Sequence, residues 1–280
     1  MDGRLNVVPL EAADGEPVFG GKAVSLGAAL RAGLPVPPGV ALSAAFVDRV
    51  AAADASALAL LESPDVAGAI SSPRLAVRSS AVGEDSADAS FAGQHATKLN
   101  VTRLQVPVAV RAVWDSARSD AALGYRARKG LPAEPRIGAV VQTLVEPIAA
   151  GVMFTLNPMT GADERVIEAA WGLGEAVVSG AVTPDRYRLD RSGRLVEFTA
   201  GHKDVKVWYD EGEGTIEIAV AADLHAVPCL RTSHLEALHD LAERCHRVWG
   251  PSLDIEWAVA AGDRIYLLQC RPITVTRPST

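Results

Sequence analysis

Asp254-Ile255-Glu256-Trp257-Ala258-Val259, then Gly262-Asp263, then Ile265-Tyr266-Leu267-Leu268-Gln269-Cys270-Arg271-Pro272 is the stretch on which the fold turns. Two alternating runs around a Gly-Asp step read as antiparallel strands joined by a two-residue loop. In that register Glu256 faces Gln269 and Asp254 faces Arg271 on one side of the ladder. Ile255, Trp257 and Val259 then lie against Leu268 and Tyr266 on the other, buried side. Carboxylate and amide oxygens are hard ligands that suit Mg²⁺, and a guanidinium fork beside them suits a phosphate. Spacing alone equally admits an ordinary hairpin with an acid–base pair on its wet face.

The rest of the chain sets helices first and antiparallel strands later, an α+β pattern. The Val24, Leu26 and Ala28-Ala29-Leu30 periodicity predicts a helix after Gly20-Gly21, stopped by Gly33 and Pro35. A second helix is predicted over 44–53, and a strand over 75–80 running into a polar, small-residue loop over 81–93. Residues 106–129 read as one helix, with Pro107 in its first turn. Residues 137–145 and 152–156 read as paired strands, and later pairs turn at Ser192-Gly193 and around 211–214. Ser233-His234-Leu235-Glu236 has the capping-box pattern that opens a helix with Leu235, Leu238, Leu241, Cys245 and Val248 on one face. A lobe boundary is expected within residues 70–100.

A chain of 280 residues, 49% of them apolar, can build one large domain or two lobes. Its net charge of −7, without Lys/Arg clusters, speaks against a nucleic-acid surface, so an anionic ligand has to be met by a local basic site. Cys229, Cys245 and Cys270 are too few and too irregularly spaced for a disulfide framework or a zinc motif. With no signal-peptide pattern and no bilayer-length apolar run, the expectation is a soluble cytoplasmic protein.

Several motifs are weak on their own. Gly20-Gly21-Lys22 fails as a Walker loop because Ala23 stands where the Mg²⁺-binding hydroxyl belongs. It leaves a lysine at a helix start, either a place for an anion or a solvated loop lysine. Arg78 at a strand end, followed by Ser79, Ser80, Gly83, Ser86, Ser90 and Gly93, gives a backbone able to fold over oxyanions, although serines in loops also simply form turns. Gly172-Leu173-Gly174-Glu175 lacks the third glycine of a dinucleotide fingerprint and reads as a tight loop. The six histidines show no metal-ligand spacing and are expected in solvated positions.

Together these stretches resemble the N-terminal nucleotide-binding domain of the phosphoenolpyruvate synthase, pyruvate phosphate dikinase and rifampicin phosphotransferase family. The resemblance is carried by Gly21-Lys22-Ala23-Val24-Ser25-Leu26-Gly27 with the segment Ala32-Gly33-Leu34-Pro35-Val36-Pro37-Pro38-Gly39, and by Val77-Arg78-Ser79-Ser80-Ala81 with Glu84-Asp85 and Ser90-Phe91-Ala92-Gly93-Gln94. It continues through Gly151-Val152-Met153-Phe154-Thr155, Asn157-Pro158, Trp171-Gly172-Leu173-Gly174-Glu175 and Thr183-Pro184-Asp185 to the closing hairpin, nearly the whole chain in family order.

The resemblance implies an ATP-grasp fold, two lobes enclosing a nucleotide cleft. Residues 1–95 would form the N-terminal lobe with its flap, and 96–280 the C-terminal lobe with the metal-binding hairpin. Lys22 and Arg78 would hold ATP phosphates, Gly93 and Thr97 would belong to the covering loop, and Gln142, Leu144 and Val145 would line the adenine side. Glu256 and Gln269 would bind Mg²⁺ and Arg271 the terminal phosphates, with Arg271, Lys22 and Arg78 as the catalytic set. Departures from the family pattern fall at Val82-Gly83 and His95-Ala96, in the flap, and at Cys270.

The implied activity is transfer of a phosphoryl or pyrophosphoryl group from Mg·ATP to a carrier histidine. No His in this sequence has the Thr-Ser-His context of that carrier, so it is expected on another domain or chain. A stand-alone small-molecule kinase or ligase of the rifampicin phosphotransferase kind, and a nucleotide sensor without turnover, are the alternatives.

Overall fold

The strand over residues 137–143 and the strand over 147–154, close in sequence, belong to different sheets, and the chain divides between them. In the computed structural model, which describes residues 6–82 and 96–273, one compact unit takes Met1–Arg31, Pro37–Leu144 and Asp210–Gly214, and a second takes Ala32–Val36, Val145–Tyr209 and Thr215–Thr280. The division falls after Leu144 and not at residue 95.

The first unit runs β1 (Val7–Pro9), α1 (Glu16–Phe19), α2 (Gly21–Arg31), β2 (Gly39–Leu42), α3 (Ala44–Ala51), α4 (Ala55–Leu61), α5 (Pro64–Ala69), β3 (Leu75–Ala81), β4 (Thr97–Val101), α6 (Val106–Ser116), α7 (Asp120–Arg128) and β5 (Ile137–Thr143). Its sheet has the order β1-β2-β5-β3-β4 with antiparallel neighbours. β5 is hydrogen bonded on both edges, to β2 and β3, so it cannot also pair with the strand that follows it. The same pairing draws residues 97–144 into this unit.

Alternation sends Val40, Leu42, Leu75, Val77, Ile137, Ala139 and Val141 to one face, where they form a core with Phe46, Val47 and Val50 of α3 and Val106, Val110 and Val113 of α6. Each fully buried Val, Leu, Ile or Phe side chain among them contributes about 1.5–3 kcal/mol. The region over 106–129 is two helices, not one. Ser119 begins the second, its hydroxyl accepting from the Ala122 N–H at 3.3 Å, a local cap that competes with continued helix.

The second unit runs β6 (Pro147–Phe154), β7 (Arg165–Trp171), α8 (Glu175–Val178), β8 (Asp185–Leu189), β9 (Leu195–Thr199), β10 (Val205–Tyr209), β11 (Thr215–Ala219), α9 (Thr232–Trp249), β12 (Leu253–Ala260) and β13 (Arg264–Pro272). Six strands form an antiparallel sheet in the order β13-β12-β6-β7-β8-β9, and β10 pairs with β11. Cys270, Ile255, Met153, Ile167 and Tyr187 make one continuous buried row across the sheet. The helix α9 packs on β12 and β13, and its Glu243 pairs with Arg165, which shares the face of Ile167.

The start of α9 departs from the capping box read at Ser233 and Glu236. His234 closes it instead, with Nδ1 accepting from the Arg231 N–H at 3.3 Å and Nε2 3.1 Å from Asp263 Oδ1. His234 is buried, unlike the solvated histidine the spacing suggests, because the turn carrying Asp263 covers it.

Candidate functional site

The terminal hairpin has the polar pairs that the alternation requires. Glu256 is registered with Gln269, and Asp254 with Arg271. The apolar side differs from expectation: Trp257 is opposite Leu267 and Val259 opposite Ile265, because the register shifts by one between Glu256 and Trp257 and places a bulge at Leu268. The loop is also three residues, Ala261–Asp263, not two, with Gly262 at φ 72° and Asp263 at φ 58°. One extra residue in the loop and one in the bulge offset each other, so the polar pairs come out the same by either route.

Glu256 is half-buried and Gln269 is 7% exposed, so two oxygen donors sit side by side in a partly dry site. Beside them Arg271 donates to Asp254 Oδ2 from Nε at 2.9 Å and from Nη2 at 2.6 Å. Burial raises the Asp254 carboxyl above its ordinary range; the Arg271 charge opposes this, and the neighbouring Glu256 carboxylate adds to it. Asp254 therefore holds the guanidinium in place at the hairpin's edge. No group of three or more His, Cys, Asp or Glu placed to hold a metal occurs among the described residues. A carboxylate and an amide suit a hard cation that keeps substrate phosphates among its ligands, so the donor set fits Mg²⁺.

On the first unit's sheet, Arg78 is registered with Val140 on one side and Thr97 on the other, and Ala76 with Gln142. Arg78, Thr97 and Gln142 therefore share the face opposite the apolar core. The helix α2 packs on this face, carrying Lys22, which is 6% exposed, in its first turn. Four of the sequence-derived positions thus meet on one sheet face.

Gln142 already has a structural task, its Nε2 donating to the Pro37 carbonyl at 3.0 Å. Leu144 follows at the end of β5, its N–H bonded to the Arg74 carbonyl, and Val145 begins the second unit. Gly93, and with it the flap stretch over 83–95, lies outside the described residues. Two contributors escaped the sequence reading. Ser80, expected at the end of the strand over 75–80 and grouped with the serines that could meet oxyanions or form turns, has no partner assigned from sequence, although its place two after Arg78 puts it on the same face. Asp254, expected opposite Arg271, has in addition the task of holding its guanidinium.

Residues 59–280 match the family described as pyruvate phosphate dikinase, AMP/ATP-binding domain. The chain belongs to this family. Among curated relatives, a "Probable phosphoenolpyruvate synthase" of Methanothermobacter thermautotrophicus is 35% identical over 94% of this chain and 45% of that protein. One of the same description from Archaeoglobus fulgidus is 41% identical over 72% of this chain and 27% of that protein. The "Prodigiosin synthesizing transferase PigC" of Serratia marcescens is 39% identical over 91% of this chain and 31% of that protein. The pyruvate phosphate dikinase AMP/ATP-binding domain chain thus spans less than half the length of these relatives. Among its described residues no helix is long and apolar enough to cross a membrane.

Proposed function

We propose that this chain is the nucleotide-activating part of a dikinase-type phosphotransferase with an ATP-grasp arrangement, and that it binds Mg·ATP. Lys22 and Arg78 hold phosphates from the first unit. Thr97, Gln142, Leu144 and Val145 line the nucleotide, and Arg271 meets the terminal phosphates. Glu256 and Gln269 supply oxygen donors for Mg²⁺, whose charge offsets that developing on the transferred group. The protein's own share is positioning and charge neutralisation, which phosphoryl transfer chiefly requires.

The observation that carries this reading is the registered pairing of Glu256 with Gln269 and Asp254 with Arg271 in a chain of this family. The acceptor is a histidine on another domain or chain. Three buried, unbridged cysteines support a reducing cytoplasmic setting. In the test, the chain is incubated with [β-³²P]ATP, Mg²⁺ and an added phosphohistidine carrier protein. Label should pass to the carrier with release of AMP, and Arg271→Ala should abolish it. Substrate-dependent ADP release without carrier labelling would instead establish a small-molecule kinase. Absence of Mg·ATP binding by calorimetry would overturn the reading.

A further inference from the structure

The helix that carries Lys22 begins at a residue unable to cap it. Gly20 has φ 82° and ψ 166° and no side chain with which to accept an N–H from the first turn. The acceptor comes from elsewhere in the chain. Ser80 Oγ of β3, fully buried, accepts the Ala23 N–H at 2.9 Å, although 57 residues separate the two. Ala23 is the third residue of α2, so this is the bond that an N-cap serine would make for itself.

The packing at this point leaves no room for another arrangement. A Cβ on Gly20 would fall 1.9 Å from the Ser80 carbonyl oxygen and 2.6 Å from Ser80 Oγ. Gly138, registered with Ser80 across β3 and β5, would push its Cβ to 2.4 Å from the Phe19 carbonyl oxygen. The chain from Phe19 to Gly20 therefore lies flat on β3 and β5, and only glycine at both contacts permits it. Lys22 follows two residues after Gly20, and Arg78 precedes Ser80 by two on the same face of its strand.

We infer that Ser80 is a positioning residue, a cap supplied from a distant strand of the same chain that fixes the Lys22 turn of α2 against the Arg78 end of β3. The assignment rests on the nucleotide reading above and adds a specificity role to it. The two cations that meet phosphate are set by one buried hydroxyl, so Ser80 governs recognition of the phosphate chain and not of the nucleoside. Ser79, whose side chain points to the opposite face of β3, is the internal comparison.

Calorimetry with Mg·ATP and with adenosine, on the full chain and on Ser80→Ala, tests the inference. Loss of the cap should weaken Mg·ATP binding about fivefold, the size of one lost helix cap, and leave adenosine binding unchanged. Hydrogen exchange at the Ala23 amide should accelerate in the same variant. Ser79→Ala should lower the urea midpoint without altering the ratio of the two affinities. An unchanged ratio in Ser80→Ala, or equal loss for both ligands, would overturn the inference, since a merely structural hydroxyl would do no more. If Ser80→Ala does not fold, Ser80→Cys, which keeps the volume but accepts weakly, takes its place with the same outcomes. Failure of the wild-type chain to bind Mg·ATP would overturn the nucleotide reading and this one together, and is distinguished by appearing before any substitution is made.

Discussion

Glu256 and Gln269 face each other because strand side chains alternate, and that much can be worked out on paper. Glu256→Ala should abolish the Mg²⁺ dependence of ATP binding. The affinity ratio with and without Mg²⁺ should fall by more than the roughly tenfold typical of changes behind a metal's direct ligands, measured by calorimetry with and without a chelator. Other residues were not legible, because their partners come from distant parts of the chain. Asp185, matched only as a motif residue, proves to be fully buried. It pairs with the equally buried Lys203 and accepts from the Gly201 N–H at 2.8 Å and the Cys229 N–H at 2.9 Å. Burial raises the neighbouring Cys229 thiol and Tyr187 phenol above their ordinary ranges, so both stay protonated. Lys203→Met should strand the Asp185 carboxylate and cost about 3–5 kcal/mol, read from urea unfolding. Nothing in the local pattern of Thr183-Pro184-Asp185 signals a lysine 18 residues on.

Among elements, the closing hairpin shows how a correct register can rest on an incorrect loop. Gly262-Asp263 suggested a two-residue turn, and regular pairing back from it reaches Glu256 and Gln269. The actual three-residue loop reaches them only because Leu268 bulges, and a bulge leaves no period-2 trace. β5 and β6, expected as partners, sit in different sheets for a related reason. Strand character is local, but the choice of neighbour is decided by which edges are already taken. Within the second sheet, Gly151→Ala should cost about 1–3 kcal/mol, because its Cβ would lie 1.9 Å from the Glu168 carbonyl oxygen of the adjacent strand. The urea midpoint checks this.

The hairpin's tip is tied to α9 through Asp263, whose carboxyl the His234 hydrogen bond, and then the Arg231 charge, hold below the usual range. A depressed folded-state value contributes stability above the unfolded value near 3.9, and that stability is lost as pH falls through the folded one. Wild-type stability should therefore drop more steeply than that of Asp263→Ala between about pH 5 and pH 3, measured by urea midpoints across that range.

For the whole molecule, the α+β class and the family were legible from motifs in order, whereas the division of the chain was not. Residues 32–36 complete the second unit although 108 residues, 37–144, separate them from the rest of it. The Pro35 carbonyl accepts the Leu267 N–H at 2.9 Å on the outer edge of β13, and Arg244 bonds the Gly33 carbonyl. A 145–280 fragment should accordingly unfold at lower urea than the same region in the full chain, followed by tryptophan fluorescence. The cluster of Gly33, Pro35, Pro37 and Pro38 signals only the end of a helix and not a change of unit, because five residues joining a sheet edge need no more than a backbone acceptor there.

All three cysteines are withdrawn from solvent, at 3%, 0% and 2% exposure for Cys229, Cys245 and Cys270. Left as it is, the folded chain offers maleimide reagents almost nothing to attack. A single surface cysteine introduced in each unit would then be a uniquely dye-addressable handle. The separation of donor and acceptor fluorophores could be followed during nucleotide addition without first stripping the native thiols.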